Sequence, residues 1–207
     1  MSLQISAAAD FSCYAADNLE TMEITETIKL QDRFAWRDWL DKNHQALTEI
    51  WLLFDNRPEN PTVNYLDAVE EAICFGWIDG IQKRLSTHEL AQRFTPRKKR
   101  SNWTELNKER ARRLIRLGLM TDAGRTVLPD LSVEFVVAED IIEVLRAEPE
   151  TWSNFLKFPE LYRRVRIGYI EEVRKNRIQF ERRLQNFVNK TASNKMFGNW
   201  NDGDRLS

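Results

Sequence analysis

Five apolar residues in a row, Ile50-Trp51-Leu52-Leu53-Phe54, are closed at once by Asp55-Asn56-Arg57-Pro58, and this short capped run sets the first limit on the fold. It is too short for a globular helix and apolar on both faces, which is the pattern of a buried strand. Asn60-Pro61 prolongs the turn. Trp77 to Leu85 and Leu90 to Thr95 then read as two strands around a turn at Ser86-Thr87-His88-Glu89. Pro96 forces Thr95 into extended backbone and ends the hairpin. A helix between the first strand and the hairpin, over 65–75, would cover the sheet. Its inner stripe is Tyr65, Ala68, Val69, Ala72 and Ile73, with Glu70 and Glu71 turned to solvent and Gly76 as its C-cap.

Elsewhere the periodicity is helical. From Asp32, apolar residues recur at three- and four-residue spacings through Phe34, Trp36, Trp39, Leu40 and Leu47. A helix over Asn102–Leu117 has Asn102 and Glu105 as reciprocal capping partners, an inner face of Trp103, Leu106, Ala111, Leu114 and Ile115, and Gly118 at its end. Thr121-Asp122 starts a short helix, Val133–Val137 reads as a brief extended piece, and Glu139-Asp140 opens another helix. Pro149 and Pro159 punctuate two more, and residues 160–190 form one long helix or two, with Ile178, Leu184, Phe187 and Val188 inward. The expected class is α+β and predominantly helical: a small antiparallel three-stranded sheet packed by helices, followed by a helical C-terminal region. The expected organisation is a loose leader over 1–27, with Met22 as an alternative start. A single domain over 28–190 follows, α+β through 120 and helical from 121, and then a disordered tail over 191–207.

Composition excludes several classes. Of 207 residues, 42% are hydrophobic and 30% charged, which is globular rather than disordered composition. No apolar run approaches the roughly 20 residues a membrane helix needs. Met1 to Ala16 lacks a basic n-region. Two cysteines, Cys13 and Cys74, are too few for a disulfide framework, so a cytoplasmic location is expected. The net charge of −1 conceals an asymmetry: residues 1–80 hold 15 acids against 5 bases, and 81–207 hold 17 against 26.

Signals for catalysis are weak. With only His44 and His88 there is almost no base for a nucleophile, and neither histidine has zinc-ligand spacing. No phosphate-binding glycine loop is present, so no metal or cofactor is expected. The strongest chemical feature is Arg97-Lys98-Lys99-Arg100 just before the expected helix start. Exposed cations there are disfavoured by about 0.3–1 kcal/mol each, while the free N–H groups attract anions. A small anionic ligand would offset the charge, with Arg97 as a forked donor and Ser101 beside it. Acids of the N-terminal half could do the same. Asn107 on the inner stripe either binds a ligand or ties the helix to the hairpin backbone. Trp77 is either a stacking surface, with Asp79 and Lys83 on the same strand face, or core, with Asp79-Gly80 as a turn or bulge. A nucleic-acid interface is the rival reading: residues 97–116 hold nine bases and two acids, and Phe94, Trp103 and Tyr162 interleave with basic residues. An enzyme of unknown class using the same pocket is the third.

The stretch Val69 to Gly80, then Arg93-Phe94-Thr95-Pro96-Arg97, Ser101-Asn102-Trp103, Asn107, Gly118-Leu119-Met120 and Ala123-Gly124 resembles the YdeI/OmpD-associated family. The similarity runs from about Phe34 to about Phe187, and the connection around 127–139 departs from the family's pattern. The resemblance implies a bacterial protein, with bacteriocin protection or association with an outer-membrane porin as its role, acting through a ligand or a protein partner. The matched residues it singles out are Trp77, Asp79, Lys83, Arg97, Ser101, Trp103 and Asn107, with no catalytic assignment.

Overall fold

The computed structural model describes residues 23–99 and 101–206. The first 22 residues, with Cys13 and the alternative start at Met22, lie outside the described residues, as does Arg100. The chain forms two compact units. One comprises the residues up to Ser101 together with Leu114–Leu128; the other comprises Asn102–Arg113 and Pro129–Ser207. The expected division at 120 is therefore replaced by one that cuts through a helix.

In the first unit the described elements run β1 (Thr27–Lys29), α1 (Arg33–Asn43), β2 (Ile50–Asp55), α2 (Tyr65–Cys74), β3 (Trp77–Arg84) and β4 (Glu89–Pro96). The buried strand and the hairpin form as the sequence predicts. The three-stranded antiparallel sheet does not: four strands pair in the order β1-β2-β4-β3, and β1 is parallel to β2. The extra strand is only three residues long and falls at the end of the expected leader, so no periodicity announces it. Pairing with β2, from Thr27↔Trp51 to Lys29↔Leu53, holds it in place.

The hairpin carries a β-bulge. Asp79 pairs with Phe94 but Gln82 with Gln92, so three steps on β3 oppose two on β4. Buried Gln92 stitches the irregularity by donating from Nε2 to the Gly80 carbonyl, at 2.8 Å. Beyond the bulge, Lys83 pairs with Ala91. Because Phe94 and Ala91 are three apart on β4, Asp79 and Lys83 lie on opposite faces rather than one.

The helices cover the face that carries Phe94. Asp32 caps α1 by accepting from the Ala35 amide at 2.9 Å, and Asn64 caps α2 from the Leu66 amide at 2.9 Å. Gly76 leaves α2 with φ of 74°, the left-handed C-cap the sequence indicated. On α1, Trp36 stacks on Trp39 at 5.1 Å and tilts against Phe94 at 5.4 Å, and Trp39 meets Trp77 edge-on at 6.2 Å.

Glu70 and Glu71, expected in solvent, are each only 1% exposed. The reason is two arginines one turn apart on α1. Arg33 donates to both carboxylates, at 2.9 Å to Glu70, and Arg37 bonds Glu71 at 2.6 Å and the Leu119 carbonyl at 3.0 Å. A buried carboxylate is tolerated only when paired in this way.

The second unit holds most of α3 (Glu105–Arg116), which begins three residues later than expected, with Thr104 Oγ accepting from the Asn107 amide at 3.1 Å. After the short α4 (Asp122–Arg125) of the first unit come α5 (Glu139–Arg146), α6 (Pro149–Lys157), α7 (Glu160–Glu171) and α8 (Arg177–Ala192). Residues 160–190 are thus two helices. The core gathers Ile141, Leu145, Phe155, Tyr162, Ile167 and Phe187. Ile178 does not join it: it sits in the first turn of α8 and is 80% exposed. No strand forms over 133–137. The segment after α8 was expected to be disordered, yet Phe197 and Trp200 pack on the core and Leu206 is buried.

Replacing Glu71 with alanine strips Arg33 and Arg37 of their shared acceptor. Since both arginines keep part of their surface in water, the expected loss is about 2 kcal/mol, below the 3–5 kcal/mol of a fully buried pair. It should register in urea as a lower midpoint with an unchanged slope.

Candidate functional site

Arg97 follows directly on β4 and is 5% exposed. Its amide donates to the Gly76 carbonyl at 2.8 Å, anchoring the residue beside the end of α2. Its Nη1 lies 3.3 Å from Ser101 Oγ, so the two residues paired by sequence reasoning are brought together. Burial pulls the guanidinium down to about 10, and the carboxylate of Asp79 opposes that shift. Asp79 itself accepts from the Tyr65 hydroxyl at 2.6 Å, a partner that sequence reading assigned to the apolar stripe of α2. A tyrosine at the first position of a helix is the signal that was available, since its long side chain can reach past the core.

The other two residues of this unit do not assemble with them. Trp77 is core: it is buried, its Nε1 donates to the His44 carbonyl at 3.2 Å, and its ring meets Trp39. Lys83 lies beyond the bulge on the opposite sheet face, toward the turn. Each histidine has its Nδ1 tied to a nearby oxygen. His44 Nδ1 bonds the Leu40 carbonyl at 2.8 Å, and His88 Nδ1 bonds Asn56 Oδ1 at 3.0 Å. The Cys74 thiol is pushed up to about 12 by burial, with Glu71 adding to the effect, so it is not a nucleophile near neutral pH. Among the described residues no group of three or more His, Cys, Asp or Glu side chains could hold a metal ion.

Trp103 and Asn107 belong to the second unit. Asn107 accepts from Arg110 Nη1 at 2.7 Å, and Arg110 grips Asp202 with both arms of its fork, at 2.6 and 2.8 Å. Asn199 completes the cluster from Nδ2 to Asp202 at 2.8 Å. Asn107 thus braces Arg110 on the same helix, and Arg110 fastens α3 to the C-terminal segment; a bond from Asn107 to the hairpin backbone or to a ligand was the expectation. The first turn of α3 carries Glu105, which bonds Lys108 at 2.6 Å and Arg164 at 3.1 Å. That acid, together with the later helix start, removes the helix terminus from the expected anion cradle.

The basic helices of this unit spend their charge internally. Arg164 bridges Glu105, Glu109 and Glu160; Arg174 bridges Asp140 and Glu171; Arg183 stacks at 3.6 Å on Tyr169. Arg166 lies 4.2 Å from the centre of the Phe197 ring. The three rings proposed to stack on bases, Phe94, Trp103 and Tyr162, are all buried.

Comparison with known families divides the chain at nearly the place where the loop after α4 begins. Residues 28–127 match a family described as a domain of unknown function (DUF8412). Residues 134–194 match the family described as Bacteriocin-protection, YdeI or OmpD-Associated. Over that span, less than a third of its length, the chain is similar to the YdeI/OmpD-associated family. No curated protein and no solved structure matches the chain. The YdeI/OmpD-associated match covers α5 to α8, whereas the motifs that suggested the relationship, from Val69 to Gly124, fall in the other matched region. No helix among the described residues is long and apolar enough to cross a membrane.

Asp202 is 2% exposed, and although burial alone would raise its pKa, Arg110 and Asn199 hold it below the ordinary carboxylate range. A depressed carboxylate stabilises the fold above its unfolded pKa, near 3.9, and that contribution is lost as pH falls through the lower folded value. Asp202→Ala should lower stability at pH 7 by about 3 kcal/mol, because Arg110 is left buried without its partner. Thermal unfolding from pH 7 to pH 2 should also show a shallower acid decline in the variant.

Proposed function

We propose that this chain is a binding module rather than a catalyst, and that the Arg97 guanidinium takes the carboxylate or phosphate of a small ligand beside Ser101. One observation carries the reading: a guanidinium almost removed from water, weakened as an acid–base group by that burial, next to a serine hydroxyl at the end of a strand. A desolvated cation gains more from an anion than a solvated one does. Lys98 and Lys99, both exposed, would draw anions toward it. Asp79 holds the charge balance until a ligand arrives. The matched family's description names bacteriocin protection and OmpD association, but that match covers residues 134–194, so the Arg97 reading rests on the geometry of its own region. The cytoplasmic location expected from the sequence belongs to the same proposal.

Inorganic phosphate titrated into the isotope-labelled protein should shift the Ser101 amide and the Arg97 side-chain resonance, with a dissociation constant near about 1 mM. Ser101→Ala, which keeps the buried cation, should weaken binding several-fold, and Arg97→Ala should abolish it. Phosphate shifts confined to other residues, or unchanged affinity in both variants, would sink the idea. Labelled oligonucleotides should show no anisotropy change at micromolar protein in about 50 mM salt, because the arginines that would bind them are engaged within the fold.

A further inference from the structure

The second unit contains a cleft of about 250 Å³ lined by Trp103, Glu105, Lys108, Phe135, Gly168, Glu171 and Glu172, among others. Its walls are of two kinds. Trp103 and Phe135 supply aromatic surface, and three carboxylates face a single ammonium. Two of the carboxylates are already neutralised: Glu105 by Lys108 and Arg164, and Glu171 by Arg174. Glu172 is different. Its nearest cation, Arg183 Nη1, stands 3.9 Å away, beyond hydrogen-bonding distance, while Arg183 spends its hydrogen bond on the Tyr169 carbonyl. Glu172 keeps part of its surface in water, yet desolvation of its carboxylate still raises the pKa, and Arg183 only partly opposes it. The floor of the cleft is bare for a definite reason. A Cβ at Gly168 would stand 3.1 Å from Glu105 Cγ, tighter than ordinary contact, so glycine there lets α7 lie beside α3 without displacing the Glu105 side chain.

We infer that this cleft is a binding site for a small organic cation, an alkyl guanidinium or alkyl ammonium, whose charged head pairs with Glu172 and whose body lies against Trp103 and Phe135. The carboxylates of Glu105 and Glu171 are committed to arginine and lysine, so a hard metal ion would find one ligand where it needs several. An organic cation needs only one counter-charge and gains from aromatic walls. The volume is below the usual range of about 300–1,000 Å³ for drug-sized ligands, which suits a ligand the size of an amino-acid side chain. This site is separate from the proposed anion group at Arg97 and stands or falls without it.

The test is a titration of the full-length labelled protein with agmatine, read by nuclear magnetic resonance. The Trp103 indole and the Gly168 amide should shift together, with a dissociation constant of about 1 mM or tighter. Butylurea, an uncharged analogue, should bind at least about tenfold more weakly. Glu172→Gln should weaken agmatine by about tenfold or more while leaving the thermal midpoint at pH 7 unchanged or higher, since a carboxylate whose charged form is disfavoured by burial is being neutralised. Phe135→Ala should weaken it several-fold, and Glu181→Gln, on the exposed side of α8, should not. The inference is overturned if agmatine shifts neither Trp103 nor Gly168, if butylurea binds equally well, or if Glu172→Gln and Phe135→Ala both bind as the parent does.

Discussion

Charges paired inside the fold, rather than on its surface, are the interaction on which both units depend. In the first unit, Glu70 and Glu71 are desolvated on α2, and Arg33 and Arg37 reach across from α1 to supply their counter-charges. Arg33 and Arg37 are one turn apart, so their side chains descend on the same stripe and fix both the rotation and the height of α1. Trp36 and Trp39 are then delivered onto Phe94 and Trp77, which is the packing that closes the helix face of the sheet. In the second unit Arg110 does the corresponding task for the segment after α8, and Arg164 ties α7 to α3 through Glu105 and Glu109. Such pairs add little net stability over a well-packed apolar core, but they penalise every misaligned arrangement heavily.

Pairing of this kind also engages several arginines of the strongly basic second half, Arg110, Arg164, Arg174 and Arg183 among them. The sequence shows nine bases within residues 97–116 and further arginines along α7 and α8, but counting cannot see their partners. Guanidinium groups here lie over Tyr169, Phe180 and Phe197 as well as against carboxylates. A planar cation of this kind loses less on leaving water than an ammonium would, which is why arginine outnumbers lysine at these places.

How much was legible varies with the range of the interaction that decides each element. The hairpin could be read because Pro96 and the Ser86–Glu89 turn act locally, and the caps Asp32 and Asn64 act within three residues. β1 could not, since three residues become a strand only when β2 accepts their hydrogen bonds. Glu70 and Glu71 were misread because helical period alone assigns acids to solvent; the matching signal, Arg33 and Arg37 one turn apart, lay on another helix. Arg97 and Ser101 were found because they are close in sequence, and their contact is real. Lys83 was grouped with Asp79 by simple alternation, which the bulge breaks. Glu105 and Glu172 share a cleft wall yet are far apart in the chain, and no local pattern joins them.

The bulge has an evolutionary side as well. One surplus residue between Asp79 and Gln82 inverts the in–out sense of everything from there to the turn, while leaving Trp77 and Asp79 where the core requires them. A lineage that lost Gly80 or Ile81 would close the bulge and keep the tip facing as it does, because the one remaining residue would pair with Arg93 while Gln82, Lys83 and Arg84 kept Gln92, Ala91 and Leu90. The outward chemistry of the hairpin tip is therefore insulated from a single codon deletion at the bulge, and buried Gln92, which now bonds the Gly80 carbonyl, would have to adjust its acceptor.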